Sequence, residues 1–308
     1  MKTQIIGIDA GRSYTKAFSI YEGVVYQANF NSVYGNGRTN IDFSNYDNPI
    51  ALKIDGNDYF FGELAIKECY NRLSNLKDEK TTNVAEMLII SALSRVAISK
   101  EVRLMVGVPN RLYNKRTLQS VIDKYKNRSY LFKDIVTGEN KEVHICDIGI
   151  MRESDSALIY LQKGKINTKP VGLVSIGGKT SEISYFDKNF KFIDRNSVSL
   201  ALGSIDVNTE VRRKLEYDRI YKSNDEIDIS NNYDDIKKVA YEIIENRLYE
   251  EIDNLFTNIK EMEKIYIVGG TSQNLNLDNS IFTTVENPQM VTAKGLFFVG
   301  NRKFNMEE

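Results

Sequence analysis

The chain predicts an α/β protein whose two halves repeat one plan, and three observations carry that reading. Apolar, β-rich runs at 4–9, 172–176 and 264–268 each lead into a short glycine-bearing turn. Each half then reads strand, strand, strand, helix, strand, with different insertions, which is duplication of architecture rather than a short-period repeat. The 308 residues suffice for two such units.

The first half opens with strand 4–9, the turn Gly11-Arg12-Ser13-Tyr14, and strands at 15–20 and 24–30. Residues 35–48, rich in Gly, Asn and Asp, read as a loop. Asp55-Gly56-Asn57-Asp58 marks a hairpin between 50–54 and 59–62, and 63–75 reads as helix. A strongly apolar helix is expected over 83–99, with Asn83 as its cap and Glu86 three residues on. A buried strand over 102–108 stops at Pro109. A polar helix (about 111–127) and a hairpin (129–146) lead to a strand-to-helix junction at Met151-Arg152-Glu153-Ser154.

The second half repeats the meander over 172–176, 181–186 and 190–198, with Gly177-Gly178 at its first turn. Residues 203–219 read as helix, 222–235 as exposed loop, and about 234–260 as a long helix. The expected lobes are 1–165 plus about 290–308, with an insertion at about 31–80, and 166–289, with an insertion at about 204–250.

Composition excludes several classes. A net charge of −1 disfavours direct nucleic-acid binding. No apolar run reaches membrane-spanning length and no signal peptide is legible, so a cytoplasmic protein is expected. Cys69 and Cys146 lack CxxC spacing and read as reduced thiols. With His144 as the sole histidine, neither a Ser/His/Asp triad nor a His-rich metal site can be built, and no GxxxxGK[ST] loop occurs.

The three turns suit anion binding together better than singly. Glycines let the backbone approach a phosphate, and consecutive amides point at it. Gly11, Arg12, Ser13 and Tyr14 would present amides to β- and γ-phosphates, with Thr15 behind them and Lys16 as a point charge; the alternative is a solvated hairpin tip. Gly177, Gly178, Lys179 and Thr180 would form the opposing jaw; two glycines also suit an ordinary type I′ turn. Gly269, Gly270 and Thr271 would let an adenosine lie against the backbone at a helix start. Asp9 either holds water ligands of a magnesium ion or caps its own turn. Glu153 either orients an attacking water or complements a helix N-terminus. Arg213 and Lys214 flank an adenine or face solvent.

Taken in order, these motifs resemble the actin/hexokinase/Hsp70 superfamily, and within it the bacterial ParM- and AlfA-type plasmid-segregation actins. Asp9-x-Gly11-x-x-x-Thr15-Lys16 is similar to the first phosphate loop, Ser175-Ile-Gly177-Gly178-x-Thr180-Ser181-Glu182 to the second, and Ile267-Val268-Gly269-Gly270 to the adenosine motif. Met151-Arg152-Glu153-Ser154 resembles the first connecting segment, where this group places a glutamate for water activation. Tyr59-Phe60-x-Gly62-Glu63-x-Ala65 and the stretch Ala293 to Asn301 are also like this group.

The resemblance implies two ribonuclease-H-like lobes with ATP or ADP and Mg2+ in the cleft between them. It implies ATP hydrolysis with Asp9, Glu153 and Ser175 as catalytic residues, self-assembly into filaments, and a DNA-binding adaptor on a plasmid site. There is one departure. The family usually opens the second loop with aspartate, where this chain has Ser175, a neutral and poorer magnesium partner, so slow hydrolysis is expected. Two other readings stay open: a small-molecule kinase of the superfamily, and a non-polymerising nucleotide switch.

Overall fold

The computed structural model describes residues 3–163, 167–256 and 258–305. The chain divides into two compact units, Met1–Leu161 with Thr292–Glu308, and Gln162–Val291. The lobe boundary expected at 165/166 lies outside the described residues.

The first unit opens with β1 (Gln4–Ala10), β2 (Tyr14–Tyr21), β3 (Val24–Asn31) and β4 (Val33–Asn36). It continues through β5 (Ile50–Ile54), β6 (Asn57–Phe61), α1 (Gly62–Glu68) and β7 (Arg72–Ser74). Then come α2 (Asn83–Val96), β8 (Glu101–Val108), α3 (Lys115–Tyr125), β9 (Arg128–Asp134), β10 (Asn140–Arg152) and α4 (Glu153–Gln162). These strands form one sheet in the order β3-β2-β1-β8-β10-β9-β5-β6-β4-β7. β8 lies parallel between β1 and β10, and all seven residues of β1 are buried. A strand covered on both faces reads as a near-continuous apolar run, as Ile5, Ile6 and Ile8 do here. The apolar face of α2 (Leu88, Ile89, Ala92, Leu93, Val96) joins Ile6, Ile8, Leu104 and Val106 in the core.

The second unit contains β11 (Val171–Ile176), β12 (Ser181–Phe186), β13 (Val198–Leu200), α5 (Ser204–Tyr217), α6 (Asn224–Asp228) and α7 (Asp234–Leu255). β14 (Lys264–Val268) and β15 (Phe282–Thr284) complete its sheet, in the order β13-β12-β11-β14-β15. Its first strand, like β1, pairs antiparallel with the next strand and parallel with the strand that follows the helices. Ala240, Ile244, Leu248 and Ile252 of α7 pack on this sheet at helical spacing.

Several local expectations are corrected. Thr82, not Asn83, caps α2, its hydroxyl accepting the Ala85 amide at 3.1 Å. The helix expected over 63–75 stops at Glu68, where Arg72 donates to the Ile66 carbonyl at 2.5 Å and β7 pairs with β4. The strand expected over 190–198 is interrupted by a 3-10 turn at Asp194–Asn196, because the Ser197 hydroxyl donates to the Ile193 carbonyl at 2.8 Å. The loop expected over 222–235 contains α6, started by a Ser223/Glu226 capping box. The polar helix starts late, at Lys115 under an Asn114 cap, and α7 ends early, at Leu255. Both cysteines are free thiols, and His144 shares a hydrogen bond with Ser129 across the β9–β10 hairpin at 2.9 Å.

The last helix, α8 (Val291–Asn305), seats on small residues. A Cβ on Gly7 would lie 2.4 Å from the Ala293 carbonyl oxygen, and one on Gly295 would lie 2.0 Å from that of Ser156. Propensity alone favours alanine over glycine inside a helix by about 1 kcal/mol. Here the steric penalty outweighs it, so Gly295→Ala should destabilise the protein by roughly 2–3 kcal/mol. Thermal or denaturant unfolding measures this, and a gain in stability would refute the close seating.

Candidate nucleotide site

Chemistry-bearing groups gather at two places, one in each unit. In the first unit, β1 ends at Ala10 and β2 begins at Tyr14, so Gly11, Arg12 and Ser13 form a tight connection closed by the Gly11 amide donating to the Tyr14 carbonyl at 3.1 Å. Glycine is needed here, since a Cβ at position 11 would sit 2.8 Å from that carbonyl oxygen.

The carbonyls of this loop turn inward. Ala10 accepts from Lys80 Nζ at 2.8 Å, Gly11 from Ser32 Oγ at 2.7 Å and Asn75 Nδ2 at 3.0 Å, and Ser13 from the Ser32 amide at 2.7 Å. The Thr15 hydroxyl also faces inward, 2.9 Å from Ser32 Oγ. Among the described residues, the Arg12 and Ser13 amides meet no backbone acceptor. The Arg12 side chain is held by both oxygens of Asp78, and Arg111 pairs with the same carboxylate.

Asp9, 7% exposed, faces Lys16 across the β1–β2 ladder, and Lys16 Nζ lies 3.1 Å from Asp9 Oδ2. Glu153 is the first residue of α4, directly after β10. Lys80 Nζ lies 3.2 Å from Glu153 Oε1, and that oxygen accepts no hydrogen bond of good geometry. Burial pushes the Glu153 carboxyl above the ordinary glutamate value despite Lys80, and the Asp9 charge adds to the rise. For Lys80, 3% exposed, burial acts downward, but Glu153, Asp9 and Asp78 outweigh it and the net shift is upward. Tyr125 Oη fixes the Lys80 backbone, donating to its carbonyl at 2.5 Å.

In the second unit, the Gly177 amide donates to the Thr180 carbonyl at 3.0 Å, closing the turn from β11 to β12. Neither Gly177 nor Gly178 has positive φ, so this is not a type I′ turn. The Gly178 carbonyl accepts the Ile205 amide of α5 at 2.7 Å, and the Gly177 carbonyl accepts Thr271 Oγ1 at 2.9 Å. Gly203 permits this docking, because a Cβ there would lie 2.5 Å from the carbonyls of both turn glycines. Gly269 has φ +94° and abuts the Ile176 backbone; Gly270 and Thr271 open a short 3-10 helix rather than an α-helix. Ser175 is half-buried in β11, paired with Glu182 on one side and Val268 on the other. Lys179 and Thr180 complete the turn.

Thus each unit gathers its own motifs: Asp9, Gly11 to Lys16 and Glu153 in one, Ser175, Gly177 to Thr180 and Gly269 to Thr271 in the other. Arg213 and Lys214 are both exposed on α5, and Arg213 pairs with Glu210 one turn away.

Sequence reasoning missed Lys80, Asp78, Arg111, Ser32 and Asn75. The run Lys77-Asp78-Glu79-Lys80 has the composition of a solvated segment, and nothing local marks Lys80 as buried. Gly107 was also missed, although a glycine inside a buried strand signals close approach. A Cβ there would lie 2.8 Å from Glu153 Cγ.

Asp78 carries a pH signature. Burial acts to raise its carboxyl, but Arg12 and Arg111 hold it below the ordinary value of 3.8. A depressed acid contributes stability fully above its unfolded value and loses it as pH falls through the folded one. The melting-temperature gap between wild type and Asp78→Asn should therefore be constant above about pH 5 and close as pH drops below 3.8. A gap independent of pH would refute the pairing.

Residues 7–154 match the family model for the N-terminal domain of actin-like proteins. An archaeal actin homolog in complex with ADP superposes with a TM-score of 0.80 at 16% identity, covering 97% of this chain and 100% of the other. The chain of a 15-stranded ParM filament from Clostridium botulinum gives 0.79 at 17% identity, covering 98% and 100%. An Alp12 filament structure gives 0.65 at 18%, covering 99% and 100%. No curated protein sequence matches.

Proposed function

With an actin-like N-terminal domain and an actin-like fold as premise, we propose that this protein is an ATPase that assembles into filaments with ATP bound and loses them after hydrolysis. The observation that carries the reading is the first loop. Lys80, Ser32 and Asn75 take the carbonyls of Ala10, Gly11 and Ser13, while the amides of Arg12 and Ser13 meet no backbone acceptor among the described residues and can serve an anion, beside Asp9, Lys16 and Glu153.

The β- and γ-phosphates of ATP would accept from the amides of Arg12 and Ser13, in the loop that the Gly11–Tyr14 hydrogen bond closes, and from Lys16, and from the turn of Gly177, Gly178, Lys179 and Thr180. Gly269, Gly270 and Thr271 would lie against the adenosine, with Arg213 and Lys214 flanking the adenine. Glu153 would orient the attacking water and receive its proton, which its raised pKa suits. Lys80 would keep that carboxylate in place. Ser175 would hydrogen-bond that water as a neutral group.

The donors present fit a magnesium ion that keeps most of its waters. Among the described residues no three His, Cys, Asp or Glu side chains are grouped so as to hold a metal ion, and Asp9 would supply one carboxylate beside the phosphate oxygens of the nucleotide. When bound, the ion would supply charge neutralisation on the phosphates. Assembly would follow from head-to-tail contacts that do not close on themselves, which generate open helical filaments. The filament structures among the similar proteins support self-association, and a DNA-binding adaptor on a plasmid site is the partner we propose.

Light scattering with negative-stain microscopy tests this, on purified protein with magnesium and ATP, ADP or no nucleotide. Filaments are expected with ATP, disassembling as phosphate is released. No filaments over a wide range of concentration and salt would overturn the reading in favour of a non-polymerising switch or a small-molecule kinase. Glu153→Ala should keep ATP-driven assembly but slow phosphate release on the order of 100-fold, and unchanged turnover would remove Glu153 from the chemistry. Ser175→Asp should raise turnover or sharpen its magnesium dependence, read from phosphate release against metal concentration. If both stay flat, position 175 takes no part.

A further inference from the structure

Four separate segments of the first unit are tied by side chains into one circuit around the first loop. The loop itself contributes Ala10 and Arg12. The segment after β7 contributes Asp78, which holds Arg12, and Lys80, which holds the Ala10 carbonyl and faces Glu153. The 3-10 turn Asn110–Leu112 contributes Arg111, which takes Asp78 from the other side. That turn also contributes Asn110, whose Oδ1 accepts Ser154 Oγ at 2.6 Å, next to Glu153 at the start of α4.

Asp78 is the hub. Its side chain is 8% exposed, and two guanidinium groups converge on it. An arginine in a phosphate loop would ordinarily be available to an anion, with a planar fork that matches phosphate. Here both of its engaged nitrogens are spent on Asp78, so Arg12 works as an anchor and leaves phosphate binding to the backbone. A bidentate guanidinium–carboxylate pair fixes orientation as well as position. Anchored this way, the Arg12 and Ser13 amides keep one direction before any ligand arrives, which lowers the ordering cost of binding.

We infer that Asp78 is a positioning residue which, through Arg12 and with Arg111 behind it, sets the first loop to receive the terminal phosphates of a nucleoside di- or triphosphate. This rests on the phosphate-loop reading above. The loop meets the β- and γ-phosphates only, so Asp78 governs affinity for ADP and ATP and has no effect on AMP. A residue that merely stabilised the fold would weaken all three together.

Calorimetric titration of the full chain with AMP, ADP and ATP, in magnesium, is the test. For Asp78→Asn, ATP and ADP affinity should fall on the order of tenfold while AMP affinity stays unchanged. Arg12→Met should give the same pattern, and the double variant should be no worse than either single one. Unchanged ATP affinity, a parallel loss for AMP, or losses that multiply in the double variant would each overturn the role of Asp78. Should Asp78→Asn fail to fold, Arg111→Ala decides, since the Arg111 side chain is 57% exposed. That variant should lose about threefold for ATP and nothing for AMP, and equal ATP affinity would overturn the circuit. If the wild-type protein binds none of the three nucleotides, the phosphate-loop reading falls and the role of Asp78 falls with it. Wild-type binding with an unaltered Asp78→Asn profile removes Asp78 alone.

Discussion

The arrangement in the first unit depends on the burial of one ammonium. Lys80 is 3% exposed, and stripping water from such a charge costs several kcal/mol unless partners restore what is lost. The Ala10 carbonyl, Glu153 and the nearby charges of Asp9 and Asp78 provide that restoration. The same requirement explains why the loop, the segment after β7 and the start of α4 converge: the segment after β7 carries the ammonium, and the loop and α4 each bring an oxygen to it. Glu153 is held in turn by the cation it compensates, and Gly107 leaves room for its stem.

Both units orient a glycine turn by consuming its carbonyls, but with different donors. In the first unit the donors are mainly side chains carried by other segments, Ser32, Asn75 and Lys80. In the second they are the α5 amide of Ile205 and the hydroxyl of Thr271. A helix N-terminus carries amides without intrahelical partners, so docking α5 on the turn satisfies helix and turn together. Gly203 and Gly269 let the three pieces of backbone approach more closely than any side chain would permit. The duplicated plan therefore repeats a physical solution with different residues.

Much of this was legible in the chain. The isoleucines of β1 mark a buried strand, and Gly11, Gly177 and Gly269 lie at strand ends where backbone comes close. The strand-to-helix junction puts Glu153 at the first position of α4. Failures arose where a side chain redirects the backbone through a contact that spacing does not encode. Arg72 reaching the Ile66 carbonyl ends α1, and Ser197 reaching the Ile193 carbonyl bends the run expected as a strand. The charged segment Lys77 to Lys80 gave no signal for the opposite reason. Its composition suits solvent, and only the tertiary partners of Lys80 make burial tolerable.

The seating of α8 bears on synthesis. Residues 292–308 belong to the first unit, so the second unit is an insert within it, and the strand that needs α8 is among the first made. While residues 162–291 are being translated, the seat at Gly7 stays open, and the buried faces of β1 and α4 that meet Ala293 and Gly295 remain uncovered. The earliest strand thus waits for the last helix, a pairing whose loop-closure cost is among the largest in the chain. The second unit, contiguous in sequence, can complete its own sheet on the ribosome before the first is sealed.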